Sequence, residues 1–211
     1  MKTLRLILLP TLVTLAVSAM RLTGEVQGWV HSQSGGALHL LGISWLPFAF
    51  GPLFAVLLVR DGSRPRLRAA WPWGLIALGL LAAAVMWRFG PLLSATDSDE
   101  TWAMLRSSVV VLVAIAVALA ASKALVWPRL AWTLLCYAIP ARVAVVAITW
   151  LAKHMEWETH YTKFGPPGME RDMGTTLVSA SIAQLGFWTP YTIIAGFVFG
   201  AMIGRRGREA A

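Results

Sequence analysis

Six apolar runs dominate this chain, at about residues 3–20, 38–59, 69–88, 103–126, 128–152 and 175–204. At about 1.5 Å per helical residue, each is long enough to cross some 30 Å of hydrocarbon. Lipid offers no water to bond backbone N–H and C=O groups, so a spanning segment must be a helix or part of a closed barrel. The runs lack the alternation of barrel strands, which leaves helices. The expected fold class is therefore all-α, a polytopic integral membrane protein of six transmembrane helices. One helical domain would cover 1–211, with loops 21–37, 89–102 and 153–174 on one face. Composition agrees: 57% of residues are hydrophobic, 13% are charged and the mean hydropathy is +0.66. A soluble globule of 211 residues could not bury that much apolar surface.

Charge sets the expected orientation. Eleven Lys and Arg fall at the N-terminus (Lys2, Arg5), in the 60–68 loop (Arg60, Arg64, Arg66, Arg68), near 123–129 (Lys123, Arg129) and in the tail (Arg205, Arg206, Arg208). The opposite loops hold five: Arg21, Arg88, Lys153, Lys163 and Arg171. The positive-inside rule then puts both termini in the cytoplasm, and the location expected is a bacterial cytoplasmic (inner) membrane. The net charge of +8 is dispersed in short clusters between apolar runs, without interleaved stacking aromatics, so nucleic acid is not an expected partner. Residues 1–20 have the layout of a secretory signal, with a basic start and Val-Ser-Ala at 17–19; we read them as a retained first span. The single cysteine, Cys136, excludes an intramolecular disulfide and cysteine-ligated clusters.

Arg142 is the strongest anomaly. It lies near the middle of the fifth run, where an arginine costs roughly 2.5–3.5 kcal/mol on insertion scales. No run carries an Asp or Glu near its middle, so a bound anion, a water-filled cavity or free carbonyls must compensate. Pro140 frees one carbonyl, that of Cys136, and Tyr137, Thr149 and Gln184 are polar candidates to line the same site. The plain alternative is an arginine that staples helices through carbonyls and hydroxyls.

A second candidate is H-x-E-x-E-x-H, formed by His154, Glu156, Glu158 and His160. As a strand, all four side chains share a face; as a helix, His154–Glu158 and Glu156–His160 pair at i, i+4. Imidazole with carboxylate suits a divalent metal such as zinc, with His31 or His39 as a further ligand. A solvated helix end is the plain alternative, and a pH-sensing run a third reading. Twelve helical residues, roughly 18 Å, separate Arg142 from His154, so the two are separate sites.

Gly196, Gly200 and Gly204 form a G-x-x-x-G-x-x-x-G ridge suited to close helix approach, either internally or between copies. Two runs share Trp-x-Pro-aromatic: Trp45, Pro47, Phe48 and Trp188, Pro190, Tyr191. Arg106, one turn after Trp102, is placed to snorkel to the interface across that ring. Phosphate-binding loops, dinucleotide fingerprints, nucleophile elbows and paired mid-span histidines are missing from the sequence.

These features favour a small membrane protein that binds or translocates an anionic or amphipathic ligand, a lipid among them, at Arg142. Two other classes stay open. One is a metal-dependent membrane enzyme with an external His/Glu site. The other is a non-catalytic accessory subunit, docking to itself or to a partner membrane subunit.

Overall fold

The computed structural model describes residues 3–32, 40–67, 70–89, 99–163 and 172–209. Among these there is no strand, and the protein is an all-helical integral membrane protein. The helices are α1 (Thr3–Val26), α2 (Leu46–Arg60), α3 (Ala70–Phe89), α4 (Asp99–Val126), α5 (Pro128–His154), α6 (Met173–Ser181) and α7 (Thr189–Glu209). A π-helical turn, Ile182–Trp188, joins α6 to α7, so the sixth run is one continuous helix. Five helices are long and apolar enough to cross a membrane, and α2 is a shorter apolar helix.

Two expected boundaries move. The first span does not end at residue 20: α1 continues to Val26, carrying Arg21 and Glu25 inside the helix. The second run is helical only from Leu46, and its 15 residues reach about 22 Å, less than a full bilayer. Pro47 explains the late start. It occupies the first turn of α2, where a missing N–H costs nothing, but further back it would break the ladder.

The sixth run is the central helix. In its most apolar window 61% of residues are buried, against 28% for α1, α3 and α4. α7 packs on α2, α3, α4 and α5, while α1 lies outside, mainly against α5. The glycine ridge makes this packing possible. A Cβ at Gly51 in α2 would fall on the carbonyl of Gly196. One at Gly200 would come within 2.8 Å of the Gly51 oxygen, and one at Gly204 within 2.7 Å of the Trp127 ring. All three ridge glycines are buried against other helices of the same chain, so the ridge faces inward. Large apolar side chains left exposed, such as Leu4, Leu9, Leu80 and Val110, form the outer surface that lipid covers.

α1 carries its own polar groups economically. Pro10 interrupts its ladder, and the Thr14 hydroxyl donates back to the Pro10 carbonyl at 2.8 Å, as Ser18 does to Thr14 at 3.0 Å.

The two ends of the bundle differ. At the basic end, Arg66 N–H bonds the Val126 carbonyl (2.8 Å), Trp127 Nε1 bonds Ser63 (3.0 Å) and Arg129 pairs with Asp61 (2.8 Å). Lys123 belongs to this end but sits inside α4 and not in a loop; it is buried, donating to the Trp73 carbonyl at 2.8 Å and lying over the Phe197 ring. The opposite end gathers the 27–32 segment and residues 155–163, tied by Lys163 to Ser32 at 2.8 Å. The side chains of Arg106 and Trp102, and hence their expected pairing, lie outside the described residues, as do His39 and 90–98.

Candidate functional site

Arg142 stands at mid-length of α5, about 21 Å along the helix from Pro128 and about 18 Å from His154. It is 3% exposed. Its contacts come from the central helix. Nη2 donates to Thr192 Oγ1 at 2.9 Å, and Nη1 reaches Gln184 Oε1 at 3.4 Å, the far limit of a hydrogen bond. The guanidinium carbon lies 5.4 Å from the centre of the Trp188 ring, within cation–π range. Thr192 is a fixed acceptor, because its own proton goes to the Trp188 carbonyl at 2.8 Å. Nε is buried and has no acceptor among the described residues. Among the described residues no carboxylate pairs with this arginine.

The π turn aligns these partners. Gln184, Trp188 and Thr192 are spaced four apart, and in a pure α-helix that spacing drifts around the axis by about 40° per step. A turn closed by i→i+5 bonds holds more residues, so each rotates the chain less and the drift is taken back. Gln184 and Trp188 lie within Ile182–Trp188, and Thr192 follows one turn later. Pro190 supplies the cause: it has no N–H to bond the Gly186 carbonyl, and its ring crowds that oxygen. The ladder widens just before it, with the Thr189 N–H and hydroxyl both bonding the Gln184 carbonyl.

The two Trp-x-Pro-aromatic motifs have different local outcomes, one opening α2 and the other following the π turn. They nevertheless meet in space, with Phe48 and Tyr191 edge to face at 6.5 Å.

Of the three residues read as lining the Arg142 site, only Gln184 touches it by hydrogen bond. Thr149 is fully buried and donates to the Val145 carbonyl in its own helix at 3.0 Å. Tyr137 is buried against Phe50 and Phe54, its hydroxyl 2.8 Å from Thr14 Oγ1 of α1. Thr192 and Trp188 were missed. Pro190 was the available signal, since a proline inside a spanning run marks a local break in the helix register.

The His/Glu run does not converge. α5 ends at His154, Met155 caps it, and Glu156 takes a left-handed φ of 56°, turning the chain aside. His154 stacks on Trp150 with ring centres 5.4 Å apart, while Glu156 and Glu158 are exposed. His160 goes to α1. Its backbone N–H donates to Glu25 Oε2 at 2.8 Å, and its Nδ1 lies 2.6 Å from Glu25 Oε1. At that distance one proton is shared between Nδ1 and the carboxyl oxygen. Arg21 Nε donates to the same oxygen at 2.8 Å. Tyr161 packs beside this group, and burial pushes its hydroxyl well above the usual phenol range.

Among the described residues no three His, Cys, Asp or Glu side chains group as a metal site, and the divalent-metal ligand set of His154, Glu156, Glu158 and His160 is not assembled. His31 is described but joins no such group. At the start of α6, Asp172 accepts from the Thr175 N–H at 3.0 Å, and the Thr175 hydroxyl and N–H hold its carboxyl below the usual range.

Compared with known proteins, the chain matches no family model, no curated protein and no solved structure.

Proposed function

We propose that this protein binds an anionic or amphipathic ligand inside the membrane, at Arg142. The observation that carries the reading is the guanidinium itself: a cation 3% exposed at mid-depth, with a buried Nε–H that has no acceptor among the described residues. A charge in hydrocarbon without a counter-charge is costly, and a neutral hydroxyl, a long amide contact and an indole face offset only part of that cost. An anion would complete the set, and arginine is suited to carboxylate or phosphate oxygens. The basic residues at one end of the bundle favour cytoplasmic termini in a bacterial inner membrane, with His160 and Glu25 at the outer end.

The test is thermal unfolding of the purified protein in non-ionic detergent, with and without added decanoate. Ligand that binds the folded state raises the midpoint, by the equivalent of about 2.7 kcal/mol at a hundredfold excess over Kd. The wild-type midpoint should rise, and Arg142→Leu should remove the rise. An equal rise in the variant would sink the reading.

A further inference from the structure

We infer that the ligand of Arg142 is a single-chain amphiphile, a long-chain carboxylate or phosphate monoester, that enters sideways from the bilayer between α5 and the π turn. The inference rests on the anion-binding reading above and adds the route and the tail. Ile139 and Val143, four apart on one side of α5, precede and follow Arg142, and Leu185 follows Gln184 on the π turn, which packs against α5. These three are 45%, 49% and 43% exposed, so each lip of that seam carries side chains that face the lipid. Gln184 and Trp188 are only half-buried while the guanidinium behind them is closed off, which makes them the layer an incoming group must displace. The Gln184 contact is the weakest of the set, at 3.4 Å, and the orphan Nε–H belongs to the same guanidinium.

Depth argues for the tail. Either end of α5 is about 18–21 Å away, so a free hydrated anion would have to shed its water and travel that far through a packed bundle. An anion on the end of a hydrocarbon chain approaches through the lipid, and its tail can lie along the exposed side chains of Ile139, Val143 and Leu185. A two-chain phospholipid fits less well, because its headgroup is held at the interface, roughly half a bilayer from Arg142.

The experiment titrates wild-type protein in non-ionic detergent with decyl phosphate, inorganic phosphate and neutral decyl maltoside, reading calorimetric heat. Decyl phosphate should bind at least about tenfold more tightly than inorganic phosphate, and decyl maltoside should give no Arg142-dependent signal. Val143→Trp, which fills one lip, should weaken decyl phosphate by a similar factor while leaving the protein folded by circular dichroism. Leu185→Trp fills the opposite lip and serves as the second variant. Inorganic phosphate binding as tightly as decyl phosphate, with both lost in Arg142→Leu, would overturn the tail and route but keep the anion site. Decyl phosphate binding that survives Arg142→Leu would overturn both.

Discussion

Arg21 and Arg142 are buried to the same extent, each 3% exposed, yet their surroundings are opposite. Arg21 lies near the end of α1 with Glu25 one turn on, and its Nε meets that carboxylate at 2.8 Å. Glu25 in turn holds His160 through both oxygens, so this charge group is internally balanced. Arg142 has a hydroxyl, a distant amide and an indole, with no carboxylate among the described residues. Burial by itself therefore does not mark a functional arginine. What distinguishes the two is whether a carboxylate among the described residues stands beside the guanidinium.

Breaking the balanced site should have the largest effect. Glu25→Ala removes the buried carboxylate that Arg21 and His160 share, with an expected loss of about 3–5 kcal/mol in chemical or thermal unfolding. A loss below about 1 kcal/mol would mean Arg21 is not truly dependent on its carboxylate. Next comes Thr192→Val, which removes the best acceptor of Arg142 and should cost about 1.5–3 kcal/mol without added ligand. That cost should disappear in an Arg142→Leu background, which a double-mutant cycle measures directly. Arg142→Leu alone, without ligand, should stabilise the protein by about 1–2 kcal/mol, because it deletes an uncompensated charge. Marked destabilisation would turn Arg142 into a staple and erase the contrast with Arg21. The smallest effect belongs to the exposed pair at the basic end. Arg129 and Asp61 are 48% and 28% exposed at the side chain, so Arg129→Ala should cost less than about 1 kcal/mol and depend on salt.

Legibility in the sequence followed the range of the interaction. The helices of runs three to six could be read from local hydropathy, and α5 begins at Pro128 as expected. Arg142 stood out because a lone charge in an apolar run is a local oddity, and Gln184 was found with it. Trp188 and Thr192 were hidden by the π turn, which changes which side chains share a face without changing the apolar pattern. The period of two in the His/Glu run, or its i, i+4 pairing, gathers side chains only if the backbone stays regular. A left-handed Glu156 ends that regularity two residues past α5. His160 instead found Glu25, 135 residues away, a pairing no spacing rule reaches.

The sequence by itself determined that the chain is a helical membrane protein with an arginine near the middle of one span. Hydrophobic length and backbone hydrogen bonding in lipid depend only on local composition, so that much follows without any contact between helices. The tertiary structure decided which buried charges are satisfied. It turned the glycine ridge inward onto Gly51 and Trp127, gave Glu25 to Arg21 and His160, and left Arg142 with an unmet N–H. Those outcomes depend on how neighbouring helices are rotated and offset, and a shift of one residue, as at the π turn, is enough to exchange one set of partners for another.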